Sequence, residues 1–100
     1  MEQSAANQAA LIRKQIVFTG WVQGVGFRWR ARNAADQIGA TGWVRNESDG
    51  SVTMQIQGTQ EQIDAVIRAV EAGRYIQINS MEVRALQPVP DERSFRTEWL

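Results

Sequence analysis

From Gly20 to Arg28 the chain reads GWVQGVGFR, three glycines within seven residues and then an arginine two positions after the last. The residues just before it, Ile16, Val17 and Phe18, are apolar and β-prone, and those just after it carry helical spacing. A glycine-rich link between a strand and a helix can aim successive backbone N–H groups into one concavity, an anion-binding nest. The helix start adds its own unpaired N–H groups and the positive end of its dipole. Arg28, in the first helical turn, can then clamp two oxygens of a phosphate or carboxylate. The chemistry this suggests is capture of a small anion, phosphate foremost. The same glycines would equally serve a tight strand-to-helix turn with Arg28 in solvent, and the local pattern does not choose between the two. The segment is neither a Walker loop, since GxxxxGKS/T is missing, nor the dinucleotide fingerprint GxGxxG.

A second polar group, Asn46, closes a β-prone run, TGWVRN. Along that run Trp43 and Arg45 share one face while Val44 and Asn46 share the other, so the amide faces in with the apolar side chains. It can hold a water there, or it can bond its own backbone at the Ser48-Asp49-Gly50 turn that follows, which is the commoner habit of such an asparagine. Asp49 reads as a turn residue rather than a base. Glu47 is the one carboxylate near Asn46 in sequence, and its side chain is expected on the opposite face.

What the chain lacks narrows the chemistry further. It has no cysteine and no histidine, which removes disulfides, thiol nucleophiles and the commonest general base and metal ligand. Catalysis would have to use carboxylates, amides, hydroxyls, backbone dipoles or arginine.

The elements that position these groups follow from periodicity. Residues 1–11 are rich in Gln, Ala, Asn and Ser and are expected to form a flexible tail; residues 12–100 are expected to form one domain. A first strand is predicted over 13–19. Phe27, Ala31, Ala34, Ala35 and Ile38 mark a helix that Gly39 ends. Strands over 41–47 and 51–57 make a hairpin around Ser48-Asp49-Gly50, with Val52, Met54 and Ile56 on one face. Thr59 and Gln62 form a capping box before the apolar stripe Ile63, Val66, Ile67 and Val70. Met81, Val83 and Ala85 alternate as a fourth strand, and Phe95, Thr97 and Trp99 as a short fifth strand at an edge. The order β-α-β-β-α-β with an extra C-terminal strand predicts a ferredoxin-like α+β sandwich, two helices on one face of an antiparallel sheet.

The motifs VQGVGFR, TGWVRN, DGSV and FRTEW stand in an order and spacing that resemble the acylphosphatases, over about residues 13 to 99. The asparagine follows the arginine by eighteen residues. The resemblance implies hydrolysis of the carboxyl–phosphate bond of small acyl phosphates to a carboxylate and inorganic phosphate, with no metal and no cofactor. It implies that Arg28 binds the phosphate and that Asn46 orients the attacking water through its side-chain carbonyl. It further implies a substrate cradle over Trp21, Val22, Gln23, Gly24, Val25, Gly26 and Phe27, the N–H groups of Gln23 to Phe27 holding the phosphoryl oxygens. At Trp21 the family often carries a basic residue. Tryptophan there removes a charge and adds apolar surface at the rim, so weaker overall binding, or a preference for aromatic acyl groups, is expected.

Two further readings belong to other classes. A non-catalytic module of this fold would bind an anion or RNA through its sheet, but RNA would call for paired aromatics on central strands and a basic bias. Eleven basic residues here balance eleven acidic ones, and RWRAR reads as a solvated helix face. The other is a regulatory or carbamoyl-transfer accessory domain of a larger enzyme, and a chain of 100 residues is expected to leave no room for such a partner domain. Trp43 is expected on the sheet surface or in the core, and Trp99 as packing on the last strand. A start without a basic, apolar leader and the lack of a membrane-length apolar run predict a cytoplasmic protein; the balanced charge argues against a nucleic-acid or membrane partner, and a monomer is expected.

Overall fold

A computed structural model describes residues 10–99. Of the tail read at 1–11, all but Ala10 and Leu11 lies outside the described residues. The elements run β1 (Ile12–Trp21), α1 (Phe27–Ile38), β2 (Thr41–Asn46), β3 (Val52–Gly58), α2 (Gln60–Glu71), β4 (Gln77–Leu86) and β5 (Phe95–Glu98). The strands form one sheet in the order β4-β1-β3-β2-β5. Among the described residues no helix is long and apolar enough to cross a membrane.

Each element forms for a local reason that the sequence carries. In α1, Phe27, Ala31, Ala34 and Ala35 are buried on one stripe, and Gly39 sits in the left-handed conformation with its N–H on the Ala35 carbonyl. In α2 both halves of the capping box are made: the Thr59 hydroxyl accepts from the Gln62 N–H, and the Gln62 side chain accepts from the Thr59 N–H. Both helices cover one face of the sheet. Ile16, Phe18, Val44, Val52, Met54 and Ile56 meet Phe27, Ala31, Ile63, Val66 and Val70 in a single core. Phe18 and Phe27 pack edge to face, ring centroids 4.9 Å apart, which fixes the start of α1 against β1. This is the ferredoxin-like arrangement expected.

The sheet departs from expectation in one respect. Its first four strands pair antiparallel, but β5 runs parallel to β2, Gly42 opposite Phe95 and Arg45 opposite Glu98. The cause is the path of residues 87–94, which leave β4 at one edge and cross beneath the sheet to the other. Polar bonds hold that crossing. Gln57 donates to the Val89 carbonyl and accepts from its N–H, at 3.0 and 2.7 Å. The Glu92 carboxylate takes the Arg13 guanidinium at 2.7 Å and the Thr41 hydroxyl at 2.8 Å. The chain therefore enters β5 from the same rim as it enters β1 and β2, and must run parallel to β2.

Two strands extend beyond the predicted spans. β1 continues to Trp21 past a register shift between Thr19 and Gly20, and β4 begins at Gln77. Met81 and Val83 pair opposite Phe18 and Ile16, so they share the helix-side face. They stay exposed because β4 is the outermost strand.

Candidate active site

Strand direction collects the candidate residues at one rim of the sheet. There β1 ends at Trp21, α1 begins at Phe27, β2 ends at Asn46 and β5 ends at Glu98. Val22 is buried in the core and anchors the loop that follows. Gly24 and Gly26 adopt φ of +74° and +83°, while Val25 between them keeps a negative φ. This alternation turns neighbouring N–H groups to one side, as a nest requires. Glycine carries the positive φ values without strain.

Gly26 caps α1 with no side-chain cap bond, and the first turn holds no acidic residue. The N–H groups of Gln23 to Phe27 find no protein acceptor among the described residues. The helix start is thus an open, uncompensated positive end.

Gln23 contributes its side chain as well as its backbone. Its Nε2 donates to the carbonyls of Glu47 and Ser51, at 2.7 and 2.8 Å. Both partners are acceptors, so the amide nitrogen must face them. The loop is in this way stapled to the β2–β3 turn that carries Asn46. Spacing in the sequence gives no sign of such a bond, because it joins positions 24 and 28 residues apart.

Arg28 lies one position into α1. Its guanidinium carbon stands 4.2 Å from the centroid of the Trp99 ring. Stacking covers a face of the guanidinium and leaves its N–H edge available in plane. Trp99 therefore packs on Arg28 rather than simply on its own strand. The parallel pairing of β5 with β2 puts it there, and that pairing cannot be read from local pattern.

Asn46 lies on the helix side of β2, two residues beyond buried Val44, as its alternation predicts. Its amide makes no hydrogen bond among the described residues, and the neighbouring turn is built without it. The Ser51 N–H and hydroxyl bond the Asp49 carboxylate at 2.9 and 2.6 Å, which holds the Asp49 carboxyl below its ordinary range. Glu47 turns to Arg45, at 2.9 Å. Its carboxyl is held below the ordinary value chiefly by a hydrogen bond from Thr53 and next by that from Arg45. Both carboxylates are tied down as anions, and neither is disposed to act as a base near Asn46. Trp43 faces the open side of the sheet and stacks on Arg45.

A pocket of about 180 Å³ unites the pieces, lined by Val22, Gly24, Gly26, Phe27, Arg28, Trp29 and Asn46. No carboxylate lines it. It is a small hollow whose lining combines the glycine loop, Arg28 and Asn46. Of the residues read as the cradle, Trp21, Gln23 and Val25 do not line it; Trp21 and Val25 line a neighbouring hollow instead.

Comparison with known proteins shows the family. Residues 14–97 match the acylphosphatase family model. An acylphosphatase of Bifidobacterium longum is 41% identical over 87 residues, 86% of this chain and 89% of that protein. The crystal structure of acylphosphatase from Bacillus subtilis superposes with a TM-score of 0.79 at 27% identity, covering 87% of this chain and 98% of that one. A segment amounting to 12% of full-length HypF, in its phosphate- and nucleotide-bound form, superposes on 89% of this chain with a TM-score of 0.78 at 28% identity.

Proposed function

The chain belongs to the acylphosphatase family, whose members hydrolyse acyl phosphates, and from that premise we propose that its 180 Å³ pocket is where the reaction occurs. The phosphoryl oxygens rest on the N–H groups of Gln23 to Phe27 and on the Arg28 guanidinium. Asn46 accepts a hydrogen bond from a water through its side-chain carbonyl and directs that water at phosphorus. The water oxygen forms a bond to phosphorus as the bond to the acyl oxygen breaks. The electron pair leaves on the carboxylate, and the water proton passes to a phosphate oxygen. The products are a carboxylate and inorganic phosphate.

Little covalent work is asked of the protein in this step. Phosphoryl transfer is driven mainly by positioning and by stabilising charge on the equatorial oxygens. Removing one preorganised donor of this kind typically lowers kcat by about 10²–10³. Asn46 contributes orientation. A carboxylate is a good leaving group, so the substrate phosphate suffices as proton acceptor. Arg28 and the amides carry the charge that a metal ion would otherwise neutralise, and the reading is of a metal-independent enzyme, a monomer acting in the cytoplasm.

The observation that carries this proposal is the convergence of Gly24, Gly26, Arg28 and Asn46 on one small pocket. On the face away from the helices, Arg13 and Gln57 are tied to the crossing segment, Gln15, Val17, Thr53 and Gln55 bring no aromatic ring, and Trp43 is stacked with Arg45, which is no paired stacking platform of the kind RNA modules use. The test is hydrolysis of benzoyl phosphate in the presence of chelator by wild type, Arg28→Ala and Asn46→Ala. Metal-independent cleavage, reduced at least about 100-fold in each folded variant, is expected. Phosphate binding without turnover in wild type would leave only an anion-binding module.

A further inference from the structure

Beside the phosphate pocket lies a larger hollow of about 570 Å³, walled by Trp21, Val25 and Tyr75 with Gly24 between them. Gly24 also lines the phosphate pocket, so the two hollows adjoin through the loop. The larger one owes its walls to the edge pairing. Trp21 sits opposite Gln77 at the start of β4, and Tyr75 stands two residues before Gln77. Two large aromatic side chains thus face a single concavity, 69% and 67% exposed. Neither makes a hydrogen bond or an aromatic pair among the described residues, and the core does not use them. Arg74 stacks on Tyr75, 5.4 Å from its ring centroid.

We propose that this hollow receives the acyl portion of the substrate and selects acyl phosphates with an aromatic acyl group. The inference rests on the phosphate lying in the cradle, and the sheet order then supplies the direction. In-line displacement puts attacking water and leaving oxygen on opposite sides of phosphorus. Asn46 is on β2, two strands from β1, while the aromatic walls lie at β1 and the start of β4 on the other side. With water held at Asn46, the acyl oxygen leaves toward Trp21 and Tyr75. The volume matches what small-molecule sites offer and far exceeds the need of a methyl group. A flat ring entering between Trp21 and Tyr75 gains stacking as well as burial.

The experiment compares benzylphosphonate with methylphosphonate, neither of which can be hydrolysed at an acyl–phosphate bond, by calorimetry. It also compares kcat/KM for benzoyl phosphate and acetyl phosphate. Wild type, Trp21→Ala, Tyr75→Ala and Tyr75→Phe are used. Wild type is expected to favour the aryl member of each pair about tenfold. Both alanine variants should bring the two ratios toward one, and Tyr75→Phe should keep them. Ratios near one in wild type, or ratios unchanged in both alanine variants, overturn the groove while leaving the enzyme reading intact. An aryl preference in binding with no hydrolysis of either acyl phosphate sinks the enzyme reading and leaves the groove standing.

Discussion

Gln23→Met removes the staple between the cradle and the β2–β3 turn while keeping the side chain's length. The native Nε2 makes two bonds, at 2.7 and 2.8 Å, to the Glu47 and Ser51 carbonyls. A typical protein hydrogen bond contributes about 0.5–1.5 kcal/mol net, and each carbonyl keeps a backbone donor, the Gly50 N–H on Glu47 at 3.2 Å and the Glu47 N–H on Ser51 at 2.9 Å. The expected loss of stability is therefore about 1–2 kcal/mol, a drop in Tm of roughly 4–16 °C for a domain of this length. The functional effect should be larger than that loss suggests. The staple sets the distance from the N–H nest to Asn46, and a misplacement of about 1 Å can reduce a rate 100-fold. We expect kcat for benzoyl phosphate to fall roughly 10- to 100-fold with a smaller change in KM, since nest and Arg28 persist. Gln23→Glu should be worse near neutral pH, because a carboxylate would face two carbonyls. Its activity should recover partly as pH falls, when the protonated acid can donate one bond. Steady-state kinetics and thermal denaturation of the same preparations decide the matter. A Gln23→Met enzyme that loses stability but keeps wild-type kcat would refute the reasoning, showing the staple to be structural only.

Trp99→Ala should free the Arg28 guanidinium from its stack and weaken phosphate binding about two- to fivefold, the worth of an exposed cation–π contact; phosphate titration measures it, and Trp99→Phe should restore part. Glu92→Ala leaves Arg13 without its carboxylate at a site where the two side chains are 3% and 7% exposed. Breaking one side of such a pair costs about 3–5 kcal/mol, whereas replacing both partners by apolar groups is near neutral. Urea denaturation should therefore find Glu92→Ala far less stable than Arg13→Met/Glu92→Leu. Glu47 and Asp49 have pKa values lowered from 4.5 and 3.8. Their contribution to stability is complete above those ordinary values and is lost as pH falls through the lowered ones. Glu47→Gln should flatten the acid side of the stability curve, and an unchanged slope below pH 4.5 would count against the assignment.

What could be read from the chain alone was whatever rests on local physics. The glycine turn into α1 is legible because positive φ needs glycine and because a period change at Phe27 marks the helix start. The inward face of Asn46 is legible because strand alternation is strict and Val44 names the buried side. The capping box at Thr59 and Gln62 is legible because both halves lie within four residues. The missed features depend on pairs far apart. The staple from Gln23, the clasp of Arg13 by Glu92 across 79 positions and the stack of Trp99 on Arg28 leave no periodic trace. The aromatic groove was half visible, in Trp21, but Tyr75 joins it only through the pairing of β1 with β4.

These long-range contacts divide labour between the two rims of the sheet. At the rim where β1 and β2 begin, the crossing segment satisfies polar side chains with one another: Arg13, Thr41, Gln57 and Glu92 are all partnered. At the other rim the N–H groups of the loop and the amide of Asn46 find no protein partner among the described residues. Open donors at a helix start are destabilising unless water or a ligand takes them. A small domain tolerates them where stability is secured elsewhere, and here the tied rim secures it. The same segment that clasps the first rim also delivers β5, and with it Trp99, to the second. The parallel strand thus joins the clasp of Arg13 by Glu92 at one end of the sheet to the stack of Trp99 on Arg28 at the other.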